Sequence, residues 1–323
     1  MDDRIAHHLA EAPPHWHSVR FTDQAGVAAN LATLRAAAGD GPQLAGVVKA
    51  DCYGLGLANV LPILWDGGVR TFFVAHIGEG FDLLAQLEAF TPHVLDETAV
   101  YVLNGLPAPQ AARACIESGL RPVIGSAQHL HWWLDAPGAR GAPMALHIDT
   151  GMTRLGFIAE DLSAMRQEPG LAACHVALIM SHFACADDPD HPMNERQRAL
   201  FDEAVGALSP HIPSAQVCVS LANAPATLAN PAARYDLVRP GIALYGGRSA
   251  PVPAGTLQPV AHVYARVAQV QTLTTSRAVS YGATQRVNAG TRLATVNYGY
   301  ADGYPRAASS TDAAPGGYMA LNG

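Results

Sequence analysis

The sequence predicts an α/β fold, a (β/α)8 barrel of the TIM type followed by a smaller all-β domain. Short apolar segments alternate with Ala/Leu-rich segments of helical spacing up to about residue 250, which is typical of parallel βα units. Eight such units can be placed, and a barrel of this type takes roughly 250 residues. Residues 249–260 are then rich in proline and glycine, and Val- and Thr-rich segments without intervening helices follow them.

The strand candidates of the barrel lie at residues 44–49, 70–75, 99–103, 122–125, 144–149, 177–182, 216–221 and 237–244. The clearest helix candidates lie at residues 24–38, 80–90, 109–118 and 194–207. A doubly wound sheet is the alternative, but its first strand is normally followed by a glycine-rich turn. The first strand here ends instead in Lys-Ala-Asp-Cys-Tyr-Gly-Leu-Gly. We therefore predict a barrel domain at residues 1–250 and a β domain at residues 251–323.

The β domain has strand candidates at residues 261–274 and 291–298, and a last one at residues 317–321. Asn322-Gly323 comes next, and Asn-Gly is a strong hairpin signal, yet the sequence printed here contains no partner strand after it. A β domain of about 65 residues would also bury little core. We therefore expect a β domain that is incomplete at its C-terminus.

The composition limits the classes of partner. The formal net charge is −7 and the isoelectric point is about 6.0, so neither nucleic acid nor an anionic membrane is expected, since both are bound by basic surfaces. The five cysteines form no CxxC pair, which predicts neither a metal site nor a disulfide framework. No stretch approaches the ~20 apolar residues of a membrane span, and the first residues lack the apolar run of a signal peptide. We expect a cytoplasmic protein.

Barrel enzymes carry their catalytic groups at the carboxyl ends of the strands, and Lys49 ends the first predicted strand. An amine at the mouth of an apolar barrel is partly desolvated, which lowers its pKa and makes it a usable nucleophile. A lysine that only extends into solvent from a strand end is the alternative, and position alone favours it.

Later strands also end in polar residues. His182 ends the sixth strand and Asn223 follows the seventh, whereas Arg239 lies within the eighth. An arginine in an apolar strand needs a buried acceptor because it keeps its proton. Gly241 and Ile242 come next, at the place where many barrels bind phosphate through backbone N–H groups.

Candidate residues also lie outside the strands. Asp149, the last residue of the fifth strand candidate, is of the type that caps a following helix, and Arg154 beyond it can still face the barrel mouth. Tyr281 and Tyr300 lie in turns of the β domain, where an aromatic residue is usually an ordinary surface anchor.

Seven segments become informative when they are taken together in chain order. They are Val-Val-Lys-Ala-Asp-Cys-Tyr-Gly-Leu-Gly (47–56), Asp-Thr-Gly-Met-Thr-Arg-Leu-Gly-Phe (149–157), Ser-His-Phe-Ala (181–184), Leu-Ala-Asn (221–223), Arg-Pro-Gly-Ile-Ala-Leu-Tyr-Gly (239–246), Val-Ser-Tyr-Gly-Ala-Thr (279–284) and Gly-Tyr-Ala-Asp-Gly-Tyr-Pro-Arg (299–306). This series resembles the motifs of the alanine racemase family, over roughly residues 15 to 323. The resemblance implies a fold-type III enzyme that uses pyridoxal 5′-phosphate (PLP) to interconvert L- and D-alanine and supplies D-alanine for peptidoglycan.

The resemblance also implies a role for each matching residue. Lys49 would hold PLP covalently and take the α-proton of D-alanine, and Tyr281 of the partner subunit in a homodimer would act on L-alanine. Arg239 would hydrogen-bond the pyridine nitrogen. Arg154 resembles the arginine near the cofactor's phenolic oxygen and the substrate carboxylate, and Tyr300 resembles a tyrosine at the substrate entry. The other cofactor-binding residues would be His182 and Asn223, with Tyr53, Gly241 and Ile242 at the phosphate.

The sequence departs from the family pattern at three places. His147 stands where many members have a carbamylated lysine, so we expect an anion such as chloride, or a nearby carboxylate, beside Arg154. Ala224 replaces a serine that contacts the phosphate, which removes a hydrogen bond of about 1 kcal/mol. The sequence printed here ends before the Met-Asp segment and the late tyrosine of the family, so a catalytically incomplete PLP-binding fragment is the alternative.

Other PLP-binding proteins with the same barrel fit the sequence less well. Decarboxylases of basic amino acids use a cysteine of the β domain, and no cysteine follows Cys218. Non-enzymatic PLP-binding proteins are single barrels and lack the Tyr281 segment. Serine and broad-spectrum racemases share the motifs, so the motifs alone do not exclude a substrate other than alanine.

Overall fold

The computed structural model describes residues 12–90, 97–212 and 217–305, so the strand predicted at residues 317–321 lies outside the described residues. The chain divides into two compact units. The barrel unit is Thr22–Ala261, and the β unit combines Met1–Phe21 with His262–Gly323. Strand β1 (Ser18–Thr22) pairs with a strand of the β unit, although it precedes the barrel in sequence.

The strands of the barrel unit are β2 (Gln43–Leu44), β3 (Gly46–Val47), β4 (Thr71–Val74), β5 (Ala99–Val102), β6 (Arg121–Ile124), β7 (Pro143–His147), β8 (His175–Met180), β9 (Cys218–Ser220) and β10 (Leu237–Val238). Its helices are α1 (Gln24–Ala38), α2 (Leu57–Asp66), α3 (Ile77–Phe90), α4 (Gln110–Ser118), α5 (Ala127–Leu134), α6 (Asp161–Arg166), α7 (Pro192–Leu208) and α8 (Ala224–Ala229). Each of α2 to α8 follows a strand, which is the alternation that the sequence predicted.

The parallel strands close into a barrel. Strands β3 to β9 form one parallel sheet in chain order, and β10 pairs in parallel with β2. Ala45 N donates to Val238 O at 2.9 Å, and Asp236 N donates to Val219 O at 3.1 Å. The first bond joins β10 to the first βα unit, and the second joins the start of β10 to β9. The ring of strands is therefore closed, and the predicted (β/α)8 barrel is confirmed.

The apolar strands are buried on both faces, as a parallel barrel requires. The residues that point into the barrel form one cluster: Ala45, Val47, Phe73, Tyr101, Val123, Ala145, Leu178, Met180 and Leu237. The larger core lies between the strands and the surrounding helices. Asn30 of α1, fully buried, donates to Leu244 O at 3.2 Å and to Gln258 O at 2.9 Å, so α1 packs against the end of the eighth unit.

The β unit contains β11 (Ala261–Ala265), β12 (Val267–Thr272), β13 (Arg277–Val279), β14 (Gln285–Val287) and β15 (Arg292–Val296). Strand β1 pairs with β11, while β12 with β15 and β13 with β14 form antiparallel pairs. The predicted all-β character of this region is therefore confirmed. Strand β12 is exposed at all six of its residues.

Helix α1 has the predicted bounds, but several local predictions are wrong. The sixth strand ends at Met180, so His182 follows that strand instead of ending it. The first strand ends at Val47, and Lys49 begins a turn. The eighth strand ends at Val238, so Arg239 follows it and Ile242 begins a short 3-10 helix. Asp149 caps no helix, because α6 begins only at Asp161. No helix among the described residues is long and apolar enough to cross a membrane.

Candidate active site

A cavity of about 570 Å³ lies at the carboxyl ends of the barrel strands. Eight of the residues predicted from sequence line it together: Lys49, Tyr53, Arg154, His182, Asn223, Arg239, Gly241 and Ile242. His147 and Ala224, where the sequence departs from the family pattern, line it too. The barrel therefore gathers residues that lie far apart in the sequence.

Lys49 is half-buried at this mouth, and it is the one lysine of the 323-residue sequence. Burial lowers the pKa of its amine, the nearby Arg154 guanidinium lowers it further, and the Glu79 carboxylate opposes both. An amine with a lowered pKa has more of the unprotonated form that attacks a carbonyl carbon or accepts a proton.

The backbone after Lys49 forms a left-handed turn. Ala50, Asp51, Cys52 and Tyr53 have φ values of 51°, 52°, 55° and 57°. Each L-residue in this region costs roughly 1–2 kcal/mol, and a run of them is exceptional. The turn brings Tyr53 back beside Lys49, with Nζ 5.8 Å from the tyrosine ring centroid.

Arg239 is buried, with 3% of its surface exposed, and its partners are neutral acceptors. It donates to Ser220 Oγ and to Ser181 O, and Ser220 in turn donates to Leu237 O. Burial lowers the pKa of Arg239 to about 10, which leaves the guanidinium charged at neutral pH. The ring of Phe73 lies below it, 5.8 Å from the guanidinium carbon.

Two histidines of this region are neutral. Burial, together with Arg239 and Arg154, lowers the pKa of His147 to about 4 and holds the pKa of His182 well below its usual value. A neutral His147 supplies no negative charge to Arg154. The lysine carbamate of many family members is also impossible here, because Lys49 is the only lysine.

Gly241 and Tyr53 form a tight corner of the cavity. A Cβ added at Gly241 would overlap the Tyr53 hydroxyl, so only glycine leaves that hydroxyl in place. Ile242 begins a helical turn, and the first N–H groups of such a turn have no intrahelical partner. Asn223 lies alongside and caps α8 by accepting from Ala226 N at 3.2 Å. This corner offers N–H and O–H donors to an anion.

Arg154 lies in a loop between β7 and α6. Asp149 Oδ1 shapes this loop by accepting from the backbone N–H groups of the next turn, at 2.8 Å from Gly151 and 2.9 Å from Met152. Gly156 has φ 116°, and a Cβ there would lie 2.6 Å from Asp149 N. The loop therefore folds back on itself and leaves Arg154, which is exposed, at the cavity edge.

Tyr281 and Tyr300 belong to the β unit. Tyr281 begins a short turn between β13 and β14 and is 84% exposed, and Tyr300 follows β15 and is 67% exposed. The structure places neither among the described residues that line the barrel cavity.

Three residues near the site were not predicted from the sequence. Ser220 accepts from Arg239, Tyr245 donates to Val47 O at 2.9 Å, and Glu79 accepts from the backbone N–H of Ala50, next to Lys49. Glu79 carried a signal that could have been used, since an acidic residue in the first turn of a helix often caps it. Ser220 and Tyr245 become informative only once the barrel brings them to their partners.

The fold and site define a (β/α)8-barrel protein with a half-buried amine of lowered pKa and a corner of N–H and O–H donors at one mouth. Family models for the N-terminal and C-terminal domains of alanine racemase match residues 22–249 and 260–322. An alanine racemase of Rhodospirillum rubrum is 41% identical over 287 residues, which is 88% of this chain and 73% of that protein. The chain belongs to the alanine racemase family.

Two further relatives agree with this assignment. An alanine racemase of Methylobacterium nodulans is 40% identical, over 91% of this chain and 76% of that protein. The crystal structure of alanine racemase from Bartonella henselae with covalently bound pyridoxal phosphate superposes with a TM-score of 0.79 at 31% identity, over 90% of this chain and 78% of that one.

Proposed function

We propose that this protein is a PLP-dependent alanine racemase that interconverts L-alanine and D-alanine. The observation that carries the proposal is the position of Lys49, the only amine-bearing side chain of the sequence, in one cavity with the buried Arg239. The named relatives are alanine racemases, and one was solved with covalently bound pyridoxal phosphate.

The cavity residues fit PLP chemically. The cavity volume of about 570 Å³ is within the range typical of small-molecule sites. Lys49 offers an amine of lowered pKa for covalent attachment to an aldehyde. Tyr53, Gly241 and Ile242 offer donors to a phosphate, and Arg239 offers one to a pyridine nitrogen. Arg239 keeps its proton at neutral pH, so it would hold the ring nitrogen of PLP without protonating it.

The proposed chemistry uses two bases. When bound, PLP supplies the electron sink that makes the α-proton of alanine removable. Lys49 Nζ takes that proton from D-alanine, and Tyr281 Oη takes it from L-alanine on the opposite face. A single base would return the proton mostly to the face that it left, so inversion requires both groups. The Arg154 guanidinium binds the substrate carboxylate, and Tyr300 lines the entry.

We propose a homodimer in which each site receives Tyr281 from the partner subunit. The exposure of Tyr281 supports this arrangement, because an exposed side chain is available to a second copy. We also propose that the enzyme acts in the cytoplasm and supplies D-alanine for the cell wall, which rests on the family resemblance alone.

A bound anion beside Arg154 is the proposed substitute for the lysine carbamate. Asp187 lines the same cavity and is the alternative source of negative charge. Exchanging chloride for a larger anion such as gluconate separates the two possibilities. If chloride occupies the place, KM for alanine rises in gluconate, whereas a carboxylate leaves KM unchanged.

The decisive test measures α-proton exchange and chirality of D- and L-alanine in deuterated water with PLP added. We expect exchange with inversion from both enantiomers. Exchange of D-alanine alone, with retention, would show that Lys49 works without an opposite base and would contradict the racemase. No exchange while Lys49 still binds PLP would establish the catalytically incomplete PLP-binding fragment instead.

A further inference from the structure

Glu79 connects two loops at the mouth of the barrel. It lies in the first turn of α3, and its carboxylate accepts from Ala75 N at 2.6 Å and from His76 N at 3.3 Å. These two bonds reach back to the residues just before the helix, as the glutamate of a capping box does. Its other oxygen, Oε1, accepts from Ala50 N at 2.9 Å. Ala50 directly follows Lys49, so one carboxylate joins the end of β4 to the start of the left-handed turn.

The left-handed turn needs such a support. Its four consecutive L-residues cost roughly 1–2 kcal/mol each, so the turn persists only because its surroundings hold it. Asp51 supports the far end, where its Oδ1 accepts from Leu57 N at 2.6 Å. Glu79 supports the near end, at the first left-handed residue, Ala50. If that bond is lost, the direction of the Lys49 side chain is no longer fixed.

Glu79 also acts on the Lys49 amine through its charge. The charged groups that act on the Lys49 amine are Arg154, which lowers its pKa, and Glu79, which raises it. The Tyr53 ring lies beside the amine, and His182, which follows β8 and lines the same cavity, is neutral. Glu79 is therefore the carboxylate that offsets Arg154 at the amine.

We propose that Glu79 is a positioning residue for Lys49, which it orients through the left-handed turn and whose protonated form it stabilises by charge. The proposal deepens the proposed racemase function and rests on it for its kinetic consequences. It assigns to a helix-capping carboxylate a role in the proton transfer at one face of the substrate.

The single lysine allows a test on the full chain without cofactor. Reductive methylation with ¹³C-formaldehyde labels Lys49 Nζ and the N-terminal amine only, so the NMR titration of Lys49 can be followed directly. We expect the pKa of Lys49 to be lower in Glu79→Gln than in the unaltered protein. Glu79→Asp keeps the charge and should keep the pKa close to the unaltered value. Glu88→Gln, at an exposed position of the same helix, is the matched control and should change nothing.

Kinetic isotope effects provide the second readout. The two alanine enantiomers are equal in free energy, so a variant lowers kcat/KM equally in both directions; we expect a roughly 10- to 100-fold loss in Glu79→Gln. The proton transfer at Lys49 becomes the slower step. The effect of α-deuterium should therefore increase for D-alanine and decrease for L-alanine. Glu79→Asp, whose shorter side chain weakens the bond to Ala50, should shift the isotope effects in the same direction.

Two outcomes would overturn the proposal. One is a Lys49 pKa in Glu79→Gln equal to that in Glu88→Gln; the other is a loss of activity with unchanged isotope effects, which would indicate only a capping role. If the unaltered protein does not racemise alanine, the proposed function fails, and the NMR titration still decides whether Glu79 acts on Lys49.

Discussion

The barrel unit and the β unit differ in where they keep their polar residues. In the barrel, strands β4, β5 and β6 each end in three buried residues, and the site residues emerge from that buried frame. In the β unit, β12 is exposed throughout, and Tyr281 and Tyr300 lie at the surface. The barrel thus fixes its side chains with its own core. The tyrosines of the β unit are exposed, and the role proposed for them is to act outside their own unit.

The largest expected effect is the loss of racemase activity in two variants, one altered in the barrel unit and one in the β unit. Lys49→Ala removes the barrel base and Tyr281→Phe removes the proposed base of the β unit, so each alone should racemise alanine at background level. If the sites are shared between subunits, refolding an equal mixture forms hybrids with one intact site each. Racemase activity should then return to roughly a quarter of the unaltered level.

The control for this experiment is a mixture of Lys49→Ala with a Lys49→Ala, Tyr281→Phe double variant, which contains no intact site in any pairing. Activity in the first mixture and not in the second would establish that Tyr281 acts in the other subunit. No recovery, with hybrid dimers verified by mass spectrometry, would contradict sharing and would indicate that Tyr281 acts in the site of its own subunit.

The next effect concerns acid stability of the barrel. The folded state holds the pKa of His147 at about 4, below the usual value of 6.5, so unfolding takes up a proton in acid. The contribution of neutral His147 to the free energy of unfolding is fully present above pH 6.5 and is lost as pH falls toward 4. This residue alone should contribute a loss of roughly 3 kcal/mol in the free energy of unfolding, and His182 acts in the same direction.

Urea unfolding at intervals between pH 7 and pH 4 measures this loss. The variant His147→Asn has no group that titrates there, so its free energy of unfolding should fall less steeply with acid. His131→Asn, at an exposed position of α5, is the matched control. Equal slopes for His147→Asn and the unaltered protein would show that His147 takes up no proton on unfolding.

A smaller effect is expected at Ser220. Its hydroxyl accepts from Arg239 while it donates to Leu237 O, which orients the guanidinium. Ser220→Ala leaves a buried N–H without this acceptor, so the free energy of unfolding should fall by about 1–3 kcal/mol. The affinity for PLP should also fall in Ser220→Ala, because the Arg239 guanidinium is no longer oriented by the hydroxyl. Ser163→Ala, at an exposed position of α6, is the control, and an equal result for the two variants would contradict this role.

The sequence predicted most of the barrel because parallel βα units leave a periodic pattern. Helix α1 was predicted with its bounds, and the residues of the cavity were found from strand ends and motifs. The turn after Lys49 was not predicted, because Ala50 and Cys52 have no intrinsic preference for a left-handed backbone. Its conformation follows from distant partners, such as Glu79, that only the folded chain brings together. The catalytic roles themselves stay predictions until they are measured.

The smallest expected effect is a change in PLP affinity caused by a substitution in the barrel unit alone. Ala224 is buried at 3% exposure and lines the cavity beside Asn223, where the family has a phosphate-binding serine. Ala224→Ser adds one hydroxyl there, and one hydrogen bond of about 1 kcal/mol corresponds to a roughly fivefold gain in affinity. Fluorescence titration of the cofactor-free chain with PLP measures that gain, and Ala226→Ser on the same helix is the control. A gain confined to Ala224→Ser would place the phosphate at this corner, as proposed. An unchanged or weaker affinity would show that the added hydroxyl does not reach the phosphate. The phosphate donors would then be those proposed at Tyr53 and Gly241.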